Sequence, residues 1–308
     1  MKKLESNLPL ILAGIGVLLL LGMIAQVVFT LPPRTLTMLT GRAGGAYYEG
    51  GLLYQDFAAQ NGFTIDIVET AGSREALRML EAGEGDVAFI QGGVAAEGDP
   101  TTVSGLATVG YEPVWIFYRR ELAPTDPLTS PRQLAGLRIA IGETGSGTNP
   151  LARLLLEDYG ITEEDATLLE VSSTDALAAL RAGEADAAFF VLNALSPLLR
   201  ETINDRSLEL MSLADAEAIT RRHRFLTQLS LPRGTVDLLD GVPRVDINLV
   251  APSVNLVVRN DLHPDILRLL AFAAVEISSP GGFFAGRNVF PSTLNTDLPV
   301  SNEGETYL

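Results

Sequence analysis

The sequence contains no cysteine and only two histidines, His223 and His263, among 308 residues. Without cysteine the chain has no disulfides, no thiolate metal ligands and no cysteine nucleophile. Two histidines leave few arrangements for a zinc site or for a serine–histidine–acid triad. We therefore expect no metal site and no catalytic residues that depend on these side chains.

Basic residues are also scarce, because 22 lysines and arginines face 38 acidic residues and give a formal net charge of −16. Such a charge repels phosphate backbones, so nucleic acid is a poor candidate partner. Charged residues make up 19% and apolar residues 47%, which makes a disordered chain and a multi-span membrane protein poor candidates. The length suits two domains of roughly 100 to 150 residues each.

A single long apolar run, residues 8–29, follows Lys2 and Lys3. At about 1.5 Å per residue it is long enough to span a bilayer. It exceeds the apolar core of a secretion signal and ends in VVFTLPPR, without a small-residue cleavage site, so a retained anchor is favoured over a cleaved signal. The lysines place residues 1–7 in the cytoplasm and, after a linker at residues 30–34, the globular part outside the inner membrane.

An internal repeat indicates that the globular part is built twice. Residues 73–93 (SREALRMLEAGEGDVAFIQGG) and 173–193 (STDALAALRAGEADAAFFVLN) match without a gap at ten of 21 positions. Each copy reads as a helix capped by its first serine and ended by a glycine, followed by a buried strand. Because the shared positions are caps, glycines and apolar faces, the repeat predicts architecture and not chemistry. We expect an α/β fold with two similar lobes.

Two long apolar strands, EPVWIFYRREL at 112–122 and NLVAPSVNLVVRND at 248–261, bracket the second repeat. They predict two crossings of the chain between the lobes, which form hinge strands near Pro113 and Pro252. The predicted lobes are residues 35–114 plus 253–308, and residues 115–252.

The segment 201–247 carries no recognisable chemistry. Its pattern predicts a helix over Leu213–Phe225 and a loop rich in proline and glycine over Leu231–Arg244.

Two glycine-rich turns, TGRAGGAYYEGG from Thr40 and ETGSGTNP from Glu143, each follow a strand and lead into a helix. Glycines let backbone amides approach an anion at a helix N-terminus, and tyrosines supply hydroxyls and flat walls. The plainer interpretation is two tight turns, with Ser73 a helix cap. Gln91 and Asn193 end the twin strands, at the edge where open α/β sheets place ligands. The candidate ligand-binding residues are Thr40, Gly41, Gly44, Gly45, Tyr47, Tyr48, Ser73, Gln91, Gly145, Ser146, Gly147, Thr148 and Asn193.

Enzymatic motifs are incomplete in this chain. The turn GETGSGTN has Thr148 where a P-loop needs lysine, and Thr144 stands where a nucleophile elbow needs its first glycine. We therefore expect that the protein is not an enzyme, and that it has neither catalytic residues nor a cofactor.

Four segments in sequence order resemble the TAXI family of extracytoplasmic solute receptors, which are associated with TRAP transporters: TGRAGGAYYEGG, ETAGSREALRMLEAGEGDVAFIQ, LAGLRIAIGETGSGT and LRAGEADAAFFVLNALSP. The resemblance covers nearly all of residues 35–260. It implies a type II periplasmic-binding-protein fold that captures a small solute, commonly a carboxylate, and delivers it to an integral TRAP permease. The chain departs from the family at Gln91, Gly92 and Gly93, where a Gln-Ser-Asp type of sequence is frequent.

The two turns also favour an acidic ligand, because the positive ends of two helix dipoles would converge on the cleft. Salt screens the net charge of −16 over about 8 to 10 Å, so the nearby backbone amides dominate the electrostatic interaction with a ligand inside the cleft. We expect a monomer that binds a small organic acid, with its carboxylate on the hydroxyls of Ser146 and Thr148 and its body against Tyr47 or Tyr48. The alternatives are an ABC-type substrate-binding protein and a ligand-binding sensor accessory protein.

Overall fold

The computed structural model describes residues 32–308 apart from Gly44, residues 96–100, Leu195 and Asn295. The predicted anchor at residues 8–29 lies outside this described part of the chain. Within the described part, every helix is too short or too polar to cross a bilayer. Residues Thr35–Leu308 form one compact unit.

Strands and helices alternate along most of this unit. The strands are β1 Thr35–Thr40, β2 Thr64–Glu69, β3 Val87–Gln91, β4 Val103–Tyr111, β5 Val114–Arg119, β6 Arg138–Ala140, β7 Thr167–Leu169, β8 Ala187–Val191, β9 Leu208–Leu210, β10 Leu226–Leu231 and β11 Ile247–Arg259. The α-helices are α1 Ala46–Gln60, α2 Ser73–Glu81, α3 Thr148–Asp158, α4 Ser173–Ala182, α5 Pro197–Ile203, α6 Ala216–Arg222, α7 Pro264–Ser278 and α8 Asn302–Tyr307. Two short 3₁₀-helices span Arg120–Leu122 and Pro131–Leu134.

The strands form two sheets with the same order. The first lobe has the order β2–β1–β3–β11, with β4 on the far side of β11, and the second has β7–β6–β8–β5–β9. In each sheet the first three strands are parallel and the next two neighbours are antiparallel. The two-lobed α/β architecture predicted from the repeat is therefore confirmed.

The chain passes between the lobes at two adjacent places. Strand β11 is shared, because Ile247–Pro252 pair with β10 while Val254–Val258 pair with β3. Strands β4 and β5 are joined through Glu112 and Pro113. The backbone N–H of Glu112 donates to the Pro252 carbonyl at 3.2 Å, so the two passages are hydrogen-bonded to each other. Rotation of the lobes about these passages stays a prediction.

The aspartates shared by the two repeats have the same role in each lobe. Asp86 Oδ2 accepts from the Thr37 backbone N–H at 2.8 Å, and Asp186 Oδ2 accepts from the Arg138 N–H at 3.0 Å. The backbone N–H of each aspartate donates in turn to the carbonyl of that same partner residue at 2.8 Å. Each aspartate therefore joins the start of one strand to its parallel neighbour, β3 to β1 in the first lobe and β8 to β6 in the second.

The predicted serine caps are wrong in both repeats, although the predicted glycine ends are present. Helix α2 begins at Ser73 itself, whose Oγ accepts from the Gln91 backbone N–H at 3.0 Å and so joins the helix to β3. In the second repeat the cap is Ser172, one residue before the repeated serine. Gly83 and Gly183 have φ of 76° and 71°, the left-handed conformation that suits a helix end.

The segment 201–247 also differs from its prediction. The helix expected over Leu213–Phe225 is limited to α6, because the chain enters β10 at Leu226. The apolar residues of LTQLSL do not alternate regularly, so the sequence did not indicate a strand. Beyond β10, residues 232–246 form the predicted loop without regular strands or helices.

The two repeated aspartates differ in their charged partners, which gives a stability prediction. The Asp186 carboxylate accepts two hydrogen bonds from Arg138, from Nη2 at 2.6 Å and from Nε at 2.9 Å. The Asp86 carboxylate has one longer contact of this kind, 3.5 Å from its Oδ1 to Arg259 Nη1. We expect Asp186→Ala to lower the free energy of unfolding by about 2 to 3 kcal/mol, because it removes hydrogen bonds between charged groups. Urea denaturation should show a smaller loss for the matched Asp86→Ala variant. Equal losses would contradict the assigned role of Arg138.

Candidate ligand site between the lobes

The two glycine-rich turns face each other across the cleft. Arg42 Nη1 of the first lobe lies 3.3 Å from Glu143 Oε1 of the second, in an exposed ion pair of small energetic value. A methyl group on Gly72 would stand 2.6 Å from the Gly145 carbonyl oxygen, so the two backbones are in contact here. The structure therefore brings the lobes together at their turns.

Gln91 occupies the place where the lobes meet behind these turns. Its side chain is buried, and its Nε2 finds no hydrogen-bond partner among the described residues. Its Oε1 lies against Gly147 at the start of α3, where a methyl group would stand 2.5 Å away. Leaving a buried amide unpaired costs about 1 to 3 kcal/mol, so this N–H₂ group is a donor available to a ligand.

The hydroxyls of the second turn are engaged within their own lobe. Ser146 Oγ donates to the Glu143 carbonyl at 2.7 Å, which uses its only proton. Thr148 is buried, and its Oγ1 accepts from the Val191 N–H at 3.2 Å. Thr148 therefore joins α3 to the end of β8, much as Ser73 joins α2 to β3.

The first turn is held by interactions inside the first lobe. Thr40 is buried and its Oγ1 donates to the Gly41 carbonyl at 3.0 Å, while the Gly45 N–H donates to the Arg42 carbonyl at 2.9 Å. The Ala43 N–H donates to Glu69 Oε2 at 2.7 Å. A carboxylate of the protein thus already occupies one of the amides expected to hold an acidic ligand.

A cavity of about 310 Å³, which we call the hinge cavity, lies beside the passages between the lobes. Its aromatic walls are Tyr47, Tyr54, Phe89, Tyr111, Phe283, Phe284 and Phe290. Glu112 and Asn193 also line it, together with small and aliphatic residues. The Tyr111 and Phe290 rings meet edge to face with centroids 5.0 Å apart.

Glu112 is the acidic residue of the hinge cavity. It is 8% exposed, and burial raises the pKa of its carboxyl from 4.5 to about 7, while the neighbouring Tyr47 hydroxyl lowers that pKa by a smaller amount. The Tyr47 hydroxyl is itself buried and does not complete a hydrogen bond of normal geometry. No lysine, arginine or histidine of the described residues lines this cavity.

Glu112 is not among the candidate residues predicted from the sequence, because it stands at the start of an apolar strand, EPVWIFYRREL. The available signal is a single acidic residue next to the proline of a predicted hinge. Its backbone N–H donates to the carbonyl of Pro252 in the other predicted hinge strand, so its surroundings include a distant part of the chain.

The candidate residues fall into groups once the geometry is known. Ser73, Gln91, Gly147 and Thr148 lie around the contact between the lobes, and Tyr47 and Asn193 line the hinge cavity. Tyr48 is half-buried on α1, and no described contact brings it to the others. Five further candidates shape the two turns: Thr40, Gly41, Gly45, Gly145 and Ser146. The last candidate, Gly44, lies outside the described residues.

Two α/β lobes with matching sheets, joined by two adjacent passages of the chain, define a periplasmic-binding-protein-like fold. Residues 38–277 match the model of the NMT1-like family, and the chain belongs to that family.

Solved structures show the same fold at low sequence identity. PhnD1 from Prochlorococcus marinus, in complex with methylphosphonate, has a TM-score of 0.52 and 12% identity over 78% of this chain and 84% of its own. The periplasmic aliphatic sulphonate binding protein SsuA from Escherichia coli has a TM-score of 0.50 and 12% identity over 80% and 73%. The Synechocystis CcmR regulatory domain, in complex with 2-PG, has a TM-score of 0.51 and 14% identity over 80% and 98%.

The raised pKa of Glu112 makes the stability of the fold depend on pH. Because the fold favours the neutral carboxyl, the free energy of unfolding should fall as pH rises from about 4.5 to about 7, by roughly 3 kcal/mol in total. We expect Glu112→Gln to remove this fall and to be more stable than the wild type at pH 8.

Chemical denaturation at several pH values between 5 and 8 measures this difference, with exposed Glu81→Gln as the control. Parallel curves for the wild type and Glu112→Gln would contradict the raised pKa.

Proposed function

We propose that this protein is an extracytoplasmic solute-binding protein, which captures a small solute between its lobes and delivers it to an integral membrane transporter. The observation that carries the proposal is the unpaired amide of Gln91, buried where the lobes meet. Polar groups without partners are costly in a closed interior, and a solute that touches both lobes would pair them.

The described histidines support a binding role rather than catalysis. His223 Nε2 lies 2.6 Å from Asp158 Oδ2, and His263 Nδ1 accepts from the Asp265 N–H at the start of α7. Neither side chain lines the hinge cavity, so no nucleophile there has a histidine as its base. The fold neighbour SsuA, named as a periplasmic binding protein, supports the proposal that the chain is not an enzyme.

The fold neighbours support a small ligand, because methylphosphonate, an aliphatic sulphonate and 2-PG are named for PhnD1, SsuA and CcmR. Methylphosphonate and an aliphatic sulphonate are acidic, as is the solute expected from the glycine-rich turns. The amides at the N-terminus of α3 support that expectation, whereas Glu69 in the first turn and Glu112 in the cavity oppose it.

The sequence motifs and the family match support different classes of transporter. The glycine-rich motifs support a TAXI receptor for a TRAP permease. The NMT1-like family, with PhnD1 and SsuA as fold neighbours, favours an ABC-type system. We propose the ABC-type system first; an ATPase subunit gene beside this one would support it, and a large multi-span permease gene without an ATPase would support TRAP. CcmR is a regulatory domain, which keeps a sensor accessory role as a third candidate.

We also propose that the protein is held at the outer face of the inner membrane by residues 8–29. The apolar run and the missing cleavage site support this, and tethering would keep the receptor near its transporter. Cell fractionation should then recover the full-length chain with the membranes. A mature chain in the soluble periplasmic extract, beginning near residue 30, would contradict it.

A methyl group at position 147 tests whether the lobes close on the solute. Gly147 has an ordinary helical φ of −67°, so Gly147→Ala adds no backbone strain, but its methyl would stand 2.5 Å from Gln91 Oε1 across the cleft. We expect weaker solute affinity and, by solution scattering with saturating solute, a larger radius of gyration than the wild type. Exposed Gly286→Ala, whose nearest contact is 4.0 Å, is the control. An unchanged radius and affinity would contradict closure at this contact.

Native mass spectrometry tests the binding function directly. The protein purified from its own host should carry one non-covalent small molecule, which is lost on denaturation. A chain that carries no small molecule, and that binds none from an extract of its host's metabolites, would overturn the proposal.

A further inference from the structure

The hinge cavity combines an apolar aromatic wall with a single acid. Seven aromatic side chains line it, from α1, β3, β4 and the chain that follows α7. Among the described residues, Glu112 is the lining group that can carry a full charge near neutral pH. A wall of this composition suits a ligand with an apolar body and one charged or strongly polar group.

Two of the tyrosines bring buried hydroxyls to the walls of this cavity. The Tyr54 hydroxyl finds no hydrogen-bond partner among the described residues, and the Tyr47 hydroxyl lies beside the Glu112 carboxyl. Tyr54 is only 2% exposed. Each hydroxyl can accept a hydrogen bond from an N–H group of a ligand, and both tyrosines line the same cavity as Glu112.

The charge of Glu112 decides which ligand group this space accepts. A buried carboxylate without a cation is costly, and an incoming cation would offset that cost by pairing with it. An incoming carboxylate would meet a like charge, so one of the two would have to take up a proton. Aromatic rings also attract cations through their faces.

We propose that the hinge cavity binds the ammonium end of an organic cation, which pairs with Glu112 and packs its apolar body against the aromatic walls. The inference rests on the proposed solute-binding function and names the chemical class of the group that enters this cavity. It differs from the acidic ligands of the fold neighbours and from the acid expected at the glycine-rich turns. The N-terminus of α3 is a separate part of the cleft, so only the group inside the hinge cavity is assigned.

Three small probes of matched shape test the proposal on the full-length chain: 2-phenylethylamine as the cation, 2-phenylethanol as the neutral analogue and 3-phenylpropionate as the anion. Calorimetry should show that the amine binds the wild type about tenfold or more tightly than the other two. Glu112→Gln should remove this preference, and exposed Glu81→Gln should retain it.

The pH dependence of amine affinity provides a second measurement. It would not change if Glu112 had only a structural role. The titratable groups that line the cavity are Glu112 and the tyrosines 47, 54 and 111. Amine affinity should rise between pH 6 and 8 as Glu112 ionises, and it should be flat in Glu112→Gln. Tyr54→Phe should weaken amine binding without changing the pH at which affinity rises.

Three results would overturn the proposal: tighter binding of 3-phenylpropionate than of the amine, an amine affinity unchanged in Glu112→Gln, or no binding of any probe. If the protein nevertheless carries an acidic small molecule from its host, the solute-binding function stands and only the cation assignment falls. If it carries and binds no small molecule at all, the solute-binding function falls with it.

Discussion

The hydrogen-bonded pair of passages between the lobes is the constraint on which the rest of the molecule depends. Strand β11 belongs to both lobes, and its Pro252 carbonyl accepts from the Glu112 N–H of the other passage. Two adjacent connections of this kind predict that the lobes rotate about one line. Glu112 belongs to one of these connections and also lines the hinge cavity, so the hinge and the candidate site share residues.

The site differs from the lobe cores in how its polar groups are paired. Asp86 and Asp186 are satisfied by backbone N–H groups and arginines within their lobes. By contrast, the Gln91 amide at the contact between the lobes and the Tyr54 hydroxyl in the wall of the hinge cavity are buried without partners among the described residues. Groups of this kind lower the stability of a closed interior and raise its affinity for a complementary ligand. These unpaired groups are the physical basis of the functional proposal.

The sequence predicts the lobes well because their signals are local. Neighbouring residues are enough to identify a helix-ending glycine such as Gly183 or an apolar strand such as β8. The repeat then shows that the same local pattern occurs twice. The contacts of the site come from distant parts of the chain. Ser73 bonds to β3 instead of capping its helix, Glu69 accepts from an amide of the first turn, and the Glu112 N–H donates to the Pro252 carbonyl. Residue types alone indicate none of these three contacts.

The central claim is that a small solute binds between the two lobes. A crystal structure of the protein purified from its own host, with the small molecule that it retains, tests this claim most directly. We predict one molecule in contact with both lobes, within hydrogen-bonding distance of Gln91 Nε2 and reaching into the hinge cavity. A molecule bound on the outer surface of one lobe, with the Gln91 amide still unpaired, would contradict the account.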